Sequence, residues 1–413
     1  MNSTEPPRLS VRSPADLVAA VPYLLGFHPE DSVVVVAVRG RRVVFAARGD
    51  LPEPGVDPGP AARHLAQVVA RQDADAATVI GFGPATRVTG VVGAVGAALD
   101  DVGLTVLDAL RVADGRWWSY LCDEPTCCPV EGTPYDPAAS RVSAAAVFAG
   151  QVALPDRAAL AAQVSPFGGP VRLAMRQATL RARRRLAALT GEPPDGQSPG
   201  GAGPGGPSPG GAGPGGPSPG GAESGGLRSD GTRAGAAPPV DVPVGDRAVD
   251  VPAGYRTAGG PAGRGGATRA VRAAGTAAVR VAFRRQRNGE RLTDDEVAWL
   301  TVLLTHPVVR DHAWSRTDGR DTDISLWTDV LRRAEPELTA APGTLLAFAA
   351  WRSGHGALAA VALERVLAAD PAYSLAVLLD DALRRGVAPS ELDGWPGVAG
   401  PAVLRRRRRR PRR

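Results

Sequence analysis

From about residue 191 to 265 the sequence is built largely from glycine, proline, serine and alanine. It contains a ten-residue unit, SPGGAGPGGP, that begins at Ser198, at Ser208 and, in partial form, at Ser218. Such a stretch offers too little apolar surface to offset the entropy lost on ordering it. It is expected to be a disordered linker, and about 75 residues of this kind have a root-mean-square span on the order of 50 Å. The folded parts must come from the residues on either side. The sequence therefore divides into an α/β domain over 1–150, basic connecting helices over 151–190, the linker over 191–265, a helical domain over 266–400 and an arginine-rich tail over 401–413.

Before the linker, Ser13 reads as a helix N-cap, with Pro14 at the first helical position, Asp16 in the first turn and Leu17, Val18 and Val21 following. Pro22 and Gly26 keep that helix short. Asp31-Ser-Val-Val-Val-Val-Ala-Val38 is apolar on both faces, and Val43-Val-Phe-Ala-Ala47 follows the link Arg39-Gly-Arg-Arg42. The pair predicts a hairpin of central, buried strands. Residues 60–72 read as a helix, 78–82 as a strand, 85–99 as a glycine-interrupted helix and 104–110 as a strand. Asp114-Gly115 then turns the chain back into a strand over Trp117–Leu121. This order predicts an α/β fold whose mixed sheet carries flanking helices.

From Ser140 onward the periodicity is helical. Val171 to Leu189 carries Arg172, Arg176, Arg181, Arg183, Arg184 and Arg185 among apolar positions. After the linker, Thr293-Asp-Asp-Glu296 is a capping box that opens a helix, and Asp323–Arg333 is a second, amphipathic one. Residues 344–370 read as an αα-hairpin turned at Gly354-His-Gly356, with a further helix over Tyr373–Arg385. The spacing of Ala347, Trp351, Gly354, Ala359, Leu363 and Pro371 resembles one tetratricopeptide repeat. A solenoid usually needs about three such units. A few packed helices and a groove for a protein partner thus both stand as readings of the helical domain.

All 48 basic residues are arginine, and the formal charge is +6. Eight of them fall within the last nine residues, and without those eight the balance is −2. The excess of Ala, Gly, Pro and Arg is what a GC-rich genome produces. No run approaches the roughly 18 apolar residues of a membrane span, and the opening residues lack a basic start followed by an apolar core. A cytoplasmic location is expected. Three cysteines, an odd number, argue against a disulfide framework as the basis of the fold.

Several segments together resemble a known family: Ser13 to Ser32, Asp114 to Cys122 with Cys127-Cys128-Pro129 and Glu131-Gly-Thr-Pro134, Val309-Arg-Asp-His-Ala-Trp314, and the helical pair from Leu345 to Asp370. They look like the actinobacterial domain-of-unknown-function family 4192. The resemblance covers most of the chain outside the linker and the tail. It implies a cytoplasmic actinobacterial protein whose two folded parts pack as one unit, and it implies no particular chemistry.

Three candidate sites come from the residues themselves. Cys122, Cys127 and Cys128, spaced C-x4-C-C, could supply thiolates to zinc, act as redox or nucleophilic thiols, or stabilise a proline-rich turn as small packing residues. If Gly40-Arg41 is a two-residue turn, paired positions sum to 81 and Asp31 stands opposite Asp50, with His28 nearby. Facing carboxylates need a shared proton, a cation or an arginine, so His28, Asp31 and Asp50 form a candidate catalytic site for a metal-dependent hydrolase. The blander reading has Asp31 in a turn and Asp50 at a solvated rim. A bulge would break the pairing.

The third candidate is the tail, where Arg405, Arg406, Arg407, Arg408, Arg409 and Arg410 could bind nucleic acid or anionic lipid weakly. With no aromatic residues interleaved, such binding would be salt-sensitive and blind to sequence. Up to Pro134 the chain has 11 arginines against 16 acids, which argues against nucleic acid lying on the α/β domain. A phosphate loop with its lysine, a G-x-S-x-G elbow and an H-E-x-x-H pair are all absent. Gly90 to Gly96 is glycine-spaced but falls where a helix is expected, which disfavours a dinucleotide site. The favoured expectation is a non-enzymatic binding or protein-interaction module.

Overall fold

The computed structural model describes residues 11–191 and 263–392. The expected linker, but for its first residue and its last three, and the arginine tail lie outside the described residues.

The first helix, α1 (Pro14–Leu25), starts where expected, because the Ser13 hydroxyl accepts the Asp16 N–H at 3.1 Å and Pro14 cannot continue an earlier turn. It ends at Gly26, whose φ of +84° is open to glycine at no steric cost. Then come β1 (Ser32–Arg39), β2 (Arg42–Asp50), α2 (Gly59–Ala70), β3 (Ala76–Phe82), α3 (Ala85–Asp101), β4 (Thr105–Ala113), β5 (Arg116–Ser119) and a short β6 (Thr133–Pro134). They form one six-stranded sheet in the order β2-β1-β3-β4-β5-β6, in which only β3 and β4 run parallel.

The double-sided apolar run of β1 has a direct cause. Val33, Val35 and Ala37 join the core under α2 and α3, while Val34 and Val36 join the one under α1, with Ile80, Leu110 and Trp117. Only β1 of the first hairpin is central. β2 is the edge strand, half-buried, with Val43 and Val44 exposed, and this corrects the expectation of two buried strands.

The hairpin register also differs from the expected one. Val38 stands opposite Val43, but the pairing shifts by one residue between Ala37 and Val38, so Ala37 faces Phe45 and Ser32 faces Asp50. Val44 is the extra residue of a bulge on β2.

The rest is helical: α4 (Arg141–Phe148), α5 (Arg157–Val164), α6 (Gly169–Thr190), α7 (Gly263–Arg287), α8 (Asp294–Leu303), α9 (Pro307–Trp314), α10 (Asp321–Arg333), α11 (Ala340–Arg352), α12 (Gly356–Ala369) and α13 (Ser374–Arg384). The predicted capping box is formed in full at α8, between Thr293 and Glu296. Met175, Ala178 and Ala182 of α6 enter the core of the later helices, so this helix is part of that layer rather than a free connector. Four of its six arginines are spent on the body of the protein: Arg172 pairs with Glu335 at 3.1 Å, Arg181 with Asp295, Arg183 with Glu337, and Arg185 lies over Trp299. The helix α7 begins at Gly263, inside the stretch expected to be linker.

Both sides of the linker form one compact unit. Phe27, just past α1, is buried in the helical core, and the backbone beside it exchanges two 2.9 Å hydrogen bonds with Leu154 and its flanks (His28 N–H to Leu154 O, Leu154 N–H to Gly26 O). At the far end of α2, Gln72 Nε2 donates to Gly386 O at 2.6 Å.

The helix α11 is buried from Ala341 to Trp351, so it presents no open face. Its approach to α12 depends on Gly343, where a Cβ would lie 2.3 Å from Val366 Cγ2. We expect Gly343→Ala to destabilise the fold by about 1–3 kcal/mol, the usual cost of overpacking. Gly93→Ala, on the exposed side of α3 with nothing within 4 Å, is expected instead to raise stability by about 0.4–1 kcal/mol. Urea denaturation of the two variants measures both shifts.

Candidate functional site

A cleft of about 930 Å³ lies between β2 and α2 on one side and α12, α13 and the residues after α13 on the other. Its walls include Phe45, Ala47 and Leu65 from the sheet side, and Trp351, Ala360 and Leu383 from the helical side. Positions 43–50 of β2 all line it, and β2 pairs with β1 alone. One edge of its backbone is therefore unpaired. Charges around the cleft are already matched: Arg48 with Asp50 at 2.7 Å, Arg384 with Asp380 at 2.6 Å, and Arg157 with Glu364. The site is thus apolar along its walls and nearly balanced in charge. No local motif could have announced it, because its two walls are about 300 residues apart in sequence.

The acidic hairpin end is arranged differently from the expected site. With the bulge in place, Asp31 stands opposite Leu51, whose N–H donates to Asp31 O at 3.0 Å, and Asp50 stands opposite Ser32. Asp31 takes a left-handed backbone, φ +40°, a conformation aspartate tolerates better than most residues. The Asp50 carboxylate is 80% exposed and held by Arg48, and His28 is exposed. The register therefore removes the like-charge pairing from which the candidate site of His28, Asp31 and Asp50 was argued.

The three cysteines do converge. Cys122 Sγ lies 3.1 Å from Cys127 Sγ, and Cys127 Sγ lies 3.7 Å from Cys128 Sγ. Among the described residues they are the one group of three or more His, Cys, Asp or Glu side chains whose ligand atoms all fall within 4.8 Å of one another. Backbone hydrogen bonds fix both arms. The Ser119 hydroxyl accepts the Leu121 and Cys122 N–H groups at 3.1 Å while donating to Asp108 at 2.7 Å. The N–H groups of Cys127 and Cys128 both donate to Glu124 O, at 3.2 and 2.8 Å.

The loop closes where β6 pairs with β5, and where Trp118 Nε1 donates to Val130 O at 3.0 Å with the Arg111 guanidinium stacked on the ring. Gly132 permits this, since a Cβ there would meet the Trp118 ring at 2.3 Å. Cys128 and Cys127 donate S–H hydrogen bonds to Cys122, which lowers the Cys122 thiol from its ordinary value. The donors respond in the opposite sense: Cys127 is raised, and Cys128 is pushed up to about 12, chiefly by its bond to Cys122 and then by burial.

The family description that matches this chain is a domain of unknown function (DUF4192), over residues 14–205 and 233–390. The chain belongs to the DUF4192 family. No curated protein and no solved structure matches it. Both the cleft and the cysteine loop of this DUF4192 chain fall within the matched residues. The candidate anion site, Arg405 to Arg410, lies outside the described residues. Among the described residues, no helix is long and apolar enough to cross a membrane.

A thiol with a lowered pKa is ionised at lower pH, whereas one near 12 stays protonated through the neutral range. In reduced, metal-free protein at about pH 8, iodoacetamide is expected to alkylate Cys122 ahead of Cys128, as followed by peptide mass mapping. Equal labelling of the two would contradict the arrangement in which Cys122 accepts hydrogen bonds from the other two thiols.

Proposed function

We propose that this DUF4192 protein is a non-enzymatic binding module that takes an extended polypeptide segment into the cleft, alongside the free edge of β2. The observation that carries this reading is an unpaired strand edge running along a cleft. An exposed edge is a template for another strand, and proteins usually blunt it with proline, inward-pointing charges or a covering element. Here the edge is met by open space of about 930 Å³ with apolar walls. A peptide laid there gains main-chain hydrogen bonds from β2 and side-chain contacts from α12 and α13, which is the logic of strand addition.

Internal pairing of the surrounding arginines favours a segment of low net charge. The tetratricopeptide-like spacing of α11 and α12 is in keeping with this reading, with the second helix of the pair forming part of the wall. No comparable support attaches to the hydrolase reading once Asp50 is paired with Arg48.

The test begins with selection of displayed random peptides on the full chain, followed by calorimetry. We expect peptides that bind one to one and lose at least about tenfold in affinity, 1.4 kcal/mol, to Ala360→Trp, which fills the cleft from α12. N-methylation of alternate peptide bonds should abolish binding, because it removes main-chain donors. Peptides indifferent to both changes, or no selected peptide at all, would overturn the proposal.

A further inference from the structure

We infer that Cys122, Cys127 and Cys128 hold one zinc ion through three thiolates, with the fourth position open to an exogenous donor such as water. This does not depend on the reading of the cleft. Two independent observations lead to it.

The first is the spacing of the sulfurs. Four ligands at a Zn–S distance of about 2.3 Å in a tetrahedron stand about 3.8 Å apart. The Cys127–Cys128 separation, 3.7 Å, matches that edge, the Cys122–Cys127 separation of 3.1 Å is somewhat shorter, and all three atoms fall within 4.8 Å. A disulfide needs about 2.05 Å and two sulfurs, and it would leave the third without a role. A triangle of sulfurs is the arrangement a cation organises.

The second is that the loop has a fixed shape with little core to fix it, its contact with the core under α1 being made by the half-buried Cys128. From Leu121 to Glu131 no residue is buried, and the strand that closes the loop, β6, has two residues. Small segments that cannot bury apolar surface commonly rely on a metal or a disulfide. Yet both arms are set by hydrogen bonds that aim the sulfurs at one point, Cys122 through Ser119 and Cys127 and Cys128 through Glu124 O. Asp108, which accepts the Ser119 hydroxyl, thereby supports a ligand arm from β4. Such outer support is the usual companion of a metal ligand.

Cys127 is exposed, so the ion would be reachable from solvent, and with no fourth ligand grouped with the three sulfurs among the described residues, one coordination position is left for an incoming donor. The chemistry of the site is that of a thiolate-rich zinc centre with an exchangeable position. Loading it balances simply: each thiol that becomes a ligand releases its proton to solvent as the Zn–S bond forms.

The experiment uses the full chain, reduced and stripped of metal, titrated with zinc against a chromophoric chelator and separately with cobalt(II). We expect one zinc per chain, affinity at least about tenfold lower in each of Cys122→Ser, Cys127→Ser and Cys128→Ser, and a thiolate-to-cobalt charge-transfer band whose intensity corresponds to three thiolates. The cobalt spectrum of the unsubstituted protein keeps the test decisive even if a variant fails to fold. Absence of that band, or zinc binding unchanged in all three variants, would overturn the inference.

Discussion

The burial of one aromatic ring, Phe27, is what makes a single body from a chain interrupted by some seventy residues of low-complexity sequence. The ring leaves the sheet-covering helix α1 at Gly26 and enters the core formed by the helices, where it is 2% exposed. Backbone bonds to Leu154 hold the entry point from both sides. Because α1 also covers one face of the sheet through Val18 and Val21, the position of the sheet is tied to the helical layer at this point. Gln72 and Gly386 provide a second tie at the other end of α2. Between the two ties the halves stand apart, and the separation is the cleft.

This arrangement explains why an edge strand survives with its edge open. In a free α/β domain, β2 would be a liability for aggregation. Here the helices α12 and α13 stand across from it, close enough to shield it from another sheet and far enough to leave about 930 Å³. The arginines follow a similar logic of internal use. Four of those on α6 meet acids and a tryptophan of the later helical segments. Arg332 and Arg365 reach backbone carbonyls at the end of α5, and Arg365 also reaches Leu331 O. Burial, and after it crowding with Arg172 and Arg332, lowers Arg365 to about 10. A chain without lysine thus uses the planar, multiply donating guanidinium as a structural clamp.

Much of the fold was legible because its signals are local. The Ser13 cap, the Asp114-Gly115 turn, the Thr293–Glu296 capping box and the valine run of β1 each declare their element through short-range chemistry. What the residues could not declare was position within the sheet. Val43-Val-Phe45 is as β-branched and apolar as a central strand, and only the pairing order reveals an edge strand, in which Val43 and Val44 are exposed while Phe45 packs against the core. The bulge at Val44 was equally silent, since a uniform run of valines carries no marker of phase, and that one residue moved Asp31 away from Asp50. The cysteines were legible as a group by spacing, but the devices that bring them together, β6, Gly132 under Trp118 and Ser119 under Cys122, act through contacts that spacing does not encode.

The measurement that bears most directly on this account is equilibrium unfolding of Phe27→Ala beside the unsubstituted chain, with separate probes in the sheet and in the helices. Trp117 and Trp118 lie in β5, whereas Trp299, Trp314, Trp327 and Trp351 lie in the helices, so single-tryptophan versions can report each part. If the two parts are one cooperative body anchored at Phe27, both probes give one coincident transition. Loss of the ring should then lower that transition for both by about 3–5 kcal/mol. Two separate transitions in the unsubstituted chain, or a loss felt by the helical probes alone, would contradict it.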